Sequence, residues 1–182
     1  WPEVKELLPH TTLTLAGLYA WDDVLRRTGS ENDKRIRNLG RVSDGTLEGL
    51  YKMAKLMICP YRHGTGTATK IVSAVVRGVP VVTDRWGMGG MLDGSLDESD
   101  LTNLRLAVIA RDNETEFAAE IVRLITCEEC WTASVNALKL VRKKFATETA
   151  SGYVHKFFRE TISSIFFSSF QGISYLPPTP LE

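Results

Sequence analysis

The stretch LMICPYRHGTGTATKIVSAVVRGVPVVT, residues 56–83, contains a complete strand–helix–strand unit and decides the fold. Its first apolar run, Leu56–Cys59, predicts a buried strand. Gly66–Arg77 has apolar residues at helical spacing and is followed by Gly78, a typical residue after the end of a helix. Val79–Thr83 then predicts a strand buried on both faces. Two strands joined by a helix in this way are expected to be parallel neighbours.

Segments on both sides of this unit continue the alternation of strand and helix. Further strands are predicted at Thr12–Ala16, Ile36–Leu39 and Leu106–Ala110. Helices are predicted at Glu3–Leu8, Trp21–Arg27, Gly45–Lys55, Glu114–Thr126, about Glu128–Phe145 and about Thr147–Phe166. Gly87–Gly90 is expected to be a glycine-rich loop, and Ser95–Asn103 an exposed acidic loop. This order predicts an α/β fold: a Rossmann-like, doubly wound parallel sheet of about five strands with C-terminal helices.

Charge and hydropathy exclude two classes of partner. The 182 residues include 22 Lys and Arg against 22 Asp and Glu, so the formal net charge is zero and gives no basis for general nucleic-acid binding. No apolar run approaches the roughly 20 residues that a membrane-spanning helix requires, so we expect no transmembrane segment. The chain starts at Trp1 without Met or a leader, which suggests that an upstream part is missing.

The three cysteines, Cys59, Cys127 and Cys130, give an odd count and no disulfide framework. We therefore expect a reducing compartment, the cytoplasm. The spacing Cys127-Glu-Glu-Cys130 also permits a redox or zinc site. A zinc site would need two further ligands, and no histidine lies at a finger-like spacing. A functional role for this pair is thus the minority interpretation.

The segment CPYRHGTGTATK, residues 59–70, is suited to an anionic ligand. Gly64 and Gly66 allow close approach of the main chain, and the N–H groups at the start of the next helix carry a partial positive charge. Threonine hydroxyls and the basic side chains of Arg62 and Lys70 add donors, so a phosphate group is the natural ligand. The alternative is an ordinary tight turn, because the segment fits neither the Walker A motif nor the dinucleotide fingerprint.

Several motifs occur in a fixed order along the chain: Leu39-Gly40-Arg41-Val42, Leu50-Tyr51, Pro60, Arg62 through Gly66, Lys70-Ile71, Ala74, Gly78 through Val82, Gly87 and Gly90. In this order they resemble the donor-binding domain of GT-B glycosyltransferases of the family-4 type, the glycosyl transferases group 1. The likeness covers about residues 1–165. It implies one half of a GT-B fold: a donor-binding domain at 1–146 that lacks its first strand, a crossing helix at 147–171 and an irregular proline-rich tail at 172–182.

The resemblance implies an enzyme that transfers a hexose-type sugar from a UDP- or GDP-sugar to an acceptor, without an obligatory metal or another cofactor. The acceptor-binding domain of such enzymes is a separate, N-terminal domain, so we assign no catalytic residue here and expect this fragment alone to be inactive. The implied donor-binding residues are Arg41, Val42, Arg62, Gly64, Thr65, Gly66, Thr67, Ala68, Thr69, Lys70 and Ser73.

Two of these positions depart from the family pattern. Ser73 and Thr65 stand where members of the family commonly have acidic residues that contact the ribose and the sugar. A carboxylate accepts two hydroxyl donors at once, which a single hydroxyl cannot reproduce, so weaker donor binding is expected. This leaves a catalytically inactive GT-B-like binding or scaffold module as the alternative. A flavodoxin-like or phosphate-binding domain unrelated to sugars is a third, less favoured interpretation.

Aromatic residues supply two further expectations. Trp86 follows a predicted buried strand and is expected to pack at the edge of the core rather than on a sugar. Five phenylalanines near the C-terminus have a spacing that is compatible with a helix packing onto another surface: Phe157, Phe158, Phe166, Phe167 and Phe170. We expect this aromatic helix to allow self-association of the chain.

Overall fold

The computed structural model of the chain describes residues 1–17, 21–60, 69–89, 91 and 96–142. By its internal contacts the chain divides into a unit at Trp1–Lys143 and a second unit at Lys144–Glu182. The second unit lies outside the described residues, and with it the predicted crossing helix at 147–171, its phenylalanines and the tail at 172–182.

Strands and helices alternate along the described part of the first unit. The strands are β1 (Leu13–Leu15), β2 (Ile36–Asn38), β3 (Met57–Cys59), β4 (Val81–Thr83) and β5 (Val108–Ala110). The helices are α1 (Pro2–Leu7), α2 (Trp21–Arg27), α3 (Asp44–Met53), α4 (Thr69–Val76), α5 (Arg85–Gly89), α6 (Glu98–Ala107), α7 (Glu114–Thr126) and α8 (Glu128–Val141). The predictions for α2 and α7 are confirmed to the residue, and the five strands lie within the predicted segments.

Two predicted loops are wrong, because each overlaps a helix whose first turn is capped by an aspartate. Asp97 accepts a hydrogen bond from the main-chain N–H of Asp100 (2.8 Å) and starts α6 inside the predicted acidic loop. Asp84 accepts from the N–H of Gly87 (3.0 Å) at the start of α5, which overlaps the predicted loop at Gly87–Gly90. Both aspartates satisfy main-chain donors that the first turn of a helix leaves unpaired.

The strands form two parallel sheets, β1–β2 and β3–β4–β5. Parallel strands joined by helices confirm the predicted Rossmann-like α/β class. The division into sheets of two and three strands differs from the single sheet of about five that the sequence suggested. Among the described residues no strand pairs with the second edge of β1 or of β3.

The core lies between the larger sheet and the helices on its faces. Val82 and Ile109 of the sheet pack with Val4 of α1 and with Ile121 and Leu124 of α7 in one buried cluster. On α4, one face is fully buried through Ile71, Ala74 and Val75. Burial of these side chains fixes α4 against the sheet and leaves its first turn at the carboxyl end of β3. This end of a parallel sheet is where doubly wound folds bind ligands.

Candidate functional site

The first turn of α4 is the described part of the predicted phosphate site. β3 ends at the buried Cys59, and α4 begins at Thr69. Thr69 and Lys70 are both exposed, while Ile71 next to them is fully buried. The first described turn of α4 therefore lies at the surface at this edge, and the N-terminal turn of a helix carries a partial positive charge. Arg62, Gly64, Thr65, Gly66, Thr67 and Ala68 lie outside the described residues.

A buried hydrogen bond joins the carboxyl ends of β3 and β4 beside this turn. The hydroxyl of Thr83, at the end of β4, donates to the main-chain carbonyl of Cys59 at the end of β3 (2.7 Å). On the other side of β4, the N–H of Arg111 donates to the carbonyl of Thr83 (2.8 Å). The carboxyl ends of β3, β4 and β5 are thus held level with one another.

Ser73 lies one turn further along α4 and is half-buried. Its carbonyl accepts a hydrogen bond from the Arg77 guanidinium (3.1 Å), which also donates to the Glu48 carboxylate of α3 (2.7 Å). The same guanidinium stacks over the ring of Tyr51, 4.9 Å from its centroid. Burial raises the pKa of the Tyr51 hydroxyl, and the Arg77 charge partly opposes this shift. Arg77 therefore links α4 to α3, a contact that the sequence analysis did not predict.

Arg41 and Val42 lie in the turn that follows β2. Gly40 has a φ of +58°, and its carbonyl accepts from the N–H of Gly17 after β1 (2.8 Å). Ser43 then caps α3 by accepting from the N–H of Thr46 (3.2 Å). Arg41 is exposed and Val42 is half-buried. Because these residues directly follow β2, the main chain between Gly40 and Ser43 lies at the carboxyl end of the smaller sheet.

Trp86 contradicts the expectation of core packing, because it is 53% exposed. It lies on α5, directly after β4, and its neighbour Gly87 packs so closely on the sheet that a side chain would run into Thr83 Oγ1. This close approach holds α5 against β4 and turns the indole of Trp86 outward. An exposed aromatic ring at the carboxyl end of a parallel strand is a surface on which a sugar or a base can stack.

The cysteines also differ from the prediction of an unpaired set. Cys127 and Cys130 form a disulfide, and Cys59 is a buried free thiol. No three or more His, Cys, Asp or Glu side chains in the described ranges are grouped so that they could hold a metal ion. Within the same ranges, no helix is both long and apolar enough to cross a membrane.

Comparison with known families gives one match. The family model described as glycosyl transferases group 1 matches residues 1–127. The match includes β1 to β5, the turn after β2 and the described part of the α4 site. No curated protein matches the chain significantly.

Proposed function

Because this chain belongs to the glycosyl transferases group 1, we propose that it binds the nucleotide diphosphate part of a UDP- or GDP-sugar at the N-terminus of α4. The observation that carries the proposal is the exposed first turn of this helix, at Thr69 and Lys70, at the carboxyl end of β3. Main-chain N–H groups in this position stabilise an anion by hydrogen bonding and by the helix dipole. The bound donor would then supply a hexose-type sugar for transfer to an acceptor.

The other parts of the donor are assigned to the neighbouring segments. We place the base against the main chain of Arg41 and Val42, beyond the end of β2, and the ribose near Ser73. The diphosphate also contacts residues 62–68 in this proposal. Trp86 is added as an aromatic surface for the sugar or the base, since its indole is exposed beside the same strand ends. No metal is required, because the helix N-terminus and Lys70 supply the positive charge.

Thermal unfolding with nucleotides tests the proposal directly. A ligand that binds only the folded state stabilises it by about 2.7 kcal/mol at a concentration of 100 Kd. UDP or GDP at millimolar concentration is expected to raise the Tm, and the rise should persist in EDTA. No shift with either nucleotide would reject the donor site.

Lys70→Met tests the contribution of a positive side chain at the helix N-terminus. An exposed charge contributes up to about 1 kcal/mol, so we expect roughly fivefold weaker binding of UDP or GDP by calorimetry. Lys52→Met is the matched control, because Lys52 is an exposed lysine on α3, outside the proposed site. Equal affinities in the two variants would remove Lys70 from the site.

The alternative function is a catalytically inactive binding or scaffold module, and the hydroxyl residues Ser73 and Thr65 favour it. Ser73→Glu separates the two functions, because a carboxylate there can accept both ribose hydroxyls. If the parent binds nucleotides weakly, Ser73→Glu is expected to bind UDP roughly tenfold more tightly, a gain of about 1.4 kcal/mol. Binding of inorganic diphosphate, which lacks a ribose, should not improve. Tight binding by the parent would exclude the inactive module.

The remaining features of the proposed enzyme concern parts beyond the described residues. We propose that an N-terminal acceptor-binding domain completes the active site, that the protein acts in the cytoplasm and that the C-terminal phenylalanines mediate self-association. We also propose that a further parallel strand lies between β1 and β3, since among the described residues each of these strands pairs on one edge only. Sugar-transfer assays that compare this chain with a chain carrying both domains test the role of the acceptor-binding domain, since transfer should require it.

A further inference from the structure

The disulfide between Cys127 and Cys130 lies at the corner between α7 and α8. Cys127 is both the last cap of α7 and the N-cap of α8, where its sulfur accepts a hydrogen bond from the N–H of Cys130 (3.1 Å). The two Cα atoms are 5.2 Å apart, which is also the ordinary separation of residues i and i+3 at a helix start. The same main chain therefore accommodates the disulfide and the two free thiols.

So short a crosslink is a poor stabilising device. A disulfide stabilises a fold mainly by closing a long loop in the unfolded chain, and the sequence separation here is only three residues. The pair is therefore better suited to changing its oxidation state than to holding the fold together.

Cys130, one of the two disulfide-bonded residues, lines a cavity of about 690 Å³. Cys130 contributes to its wall, as do Arg105, Arg111, Arg123 and Glu129. The volume lies in the range of small-molecule sites. None of the proposed donor-binding residues lines this cavity.

The cavity wall carries an excess of positive charge. Arg111 and Arg123 are both paired with the Glu120 carboxylate, which is 6% exposed and receives Arg111 at 3.1 Å. Arg105 lies on the exposed side of α6 and forms no ion pair with any described residue. Three guanidinium groups against the carboxylates of Glu120 and Glu129 leave the wall attractive to an anion.

We propose that the Cys127–Cys130 pair is a site of reversible thiol–disulfide exchange with an anionic low-molecular-weight thiol that enters this cavity. The thiolate of the incoming molecule attacks the Cys130 sulfur, the Cys127–Cys130 bond breaks, and the electron pair remains on Cys127 as a thiolate. The thiolate of a second molecule attacks the small thiol's sulfur in this mixed disulfide, the bond to Cys130 breaks, and the electron pair remains on Cys130 as a thiolate. The two small thiols are released as their disulfide. Cys130 and Cys127 each finish with a proton from the two thiols that were consumed.

The direction of attack follows from the helix. Cys127 is the N-cap of α8, a helix of 14 residues whose N-terminus carries a partial positive charge. A thiolate is stabilised there, and a stabilised thiolate is the better leaving group. Attack on Cys130 from the cavity side leaves the negative charge on Cys127, at the N-terminus of α8, where Cys127 still caps the helix.

The first experiment measures reduction of the native full chain by 2-mercaptoethanesulfonate and by 2-mercaptoethanol at equal thiolate concentration. Quenching with an alkylating agent and mass spectrometry counts the thiols formed, and the buried Cys59 is an internal control. The anionic thiol should react faster, and Arg105→Gln should reduce its advantage about twofold, the effect of one unit charge in a water-like medium. Glu129→Gln should increase the advantage. In urea, where the cavity is lost, both thiols should react at the rates of a model disulfide.

A trapping experiment identifies the attacked sulfur. During reduction by the anionic thiol, rapid acid quenching and peptide mapping should locate the mixed disulfide on Cys130. A mixed disulfide on Cys127 would overturn the proposed direction of attack. Equal rates for the two thiols in the folded parent, or an advantage unchanged in Arg105→Gln, would overturn the anionic site. These outcomes are independent of the nucleotide site, because no residue is shared between the two.

Discussion

Gly87→Ala tests the packing that positions α5 and, with it, the edge of the proposed donor site. A methyl group at this position would run into Thr83 Oγ1 and lie 2.9 Å from Ile71 Cδ1, so the side chains or the helix must move. Overpacking of a tight core costs about 1–3 kcal/mol. Thr83 also donates its hydroxyl to the Cys59 carbonyl, and the loss of a hydrogen bond of this kind adds about 1 kcal/mol.

We therefore expect Gly87→Ala to lower the free energy of unfolding by roughly 2–4 kcal/mol. For a chain of this length, each kcal/mol corresponds to about 2–4 °C, so the Tm should fall by roughly 4–16 °C. The assay is urea unfolding followed by circular dichroism at 25 °C, with a thermal scan as the second measurement. An unchanged slope against urea would show that the variant lost stability rather than changed its unfolded state.

Gly89→Ala is the matched control. Gly89 lies in the same helix, and nothing comes within 4 Å of an added Cβ. It should gain up to about 1 kcal/mol from the better helix propensity of alanine. In Thr83→Ala/Gly87→Ala the obstructing hydroxyl is gone, so the double variant should be more stable than the sum of the single changes predicts. If Gly87→Ala proves as stable as Gly89→Ala, the proposed close packing of α5 on β4 is incorrect.

Two further predictions concern turns and charges in the same unit. The indole N–H of Trp1 and the main-chain N–H of Arg35 hydrogen-bond to the Asp33 carboxylate and lower its pKa well below the usual range. The ionised Asp33 carboxylate stabilises the fold above about pH 4, and this stabilisation is lost as the pH falls. The difference in free energy of unfolding between the parent and Asp33→Asn, measured in urea, should therefore narrow from pH 7 to pH 3. A constant difference would contradict the role of Asp33 as a hydrogen-bonded carboxylate. Gly78 has a φ of +78° after α4, so Gly78→Ala should lower the free energy of unfolding by about 1–2 kcal/mol in the same assay. An unchanged urea midpoint would show that this turn adapts to the side chain.

The order of elements could be predicted because the hydrophobic spacing of each segment is a local property. Trp21–Arg27 and Glu114–Thr126 are helices with the predicted bounds, and Asn113 caps the second by accepting from the N–H of Thr115 (2.8 Å). The strand candidates contain the observed strands for the same reason. The family likeness in the glycine and proline positions is likewise a property of the sequence, and the match over residues 1–127 confirms it.

The helices α5 and α6 differ from the predicted loops because glycine-rich and acidic segments are typical of loops, while a cap residue can start a helix in either. Asp97 and Asp84 are cap residues of the ordinary kind, and the apolar face of α6 is short: Leu104 and Ala107 are its buried apolar residues. What makes α6 a helix is its packing against α8, a contact between segments about 30 residues apart. The sequence contained the cap signal, but not the surface that the helix covers.

The sequence by itself determined the α/β class, the family and the place of a glycine-rich segment, residues 59–70, between a strand and a helix, since each depends on residues close together in the chain. Only the tertiary structure decided which sheet each strand joins, that Trp86 faces solvent and that Arg77 links Ser73 to Glu48. It also paired Cys127 with Cys130 beside a cavity lined by arginines from three different segments. Apart from the cysteine pairing, whose residues are three apart, these features depend on distances between parts of the chain that are remote in sequence, and such distances are set by packing rather than by local spacing.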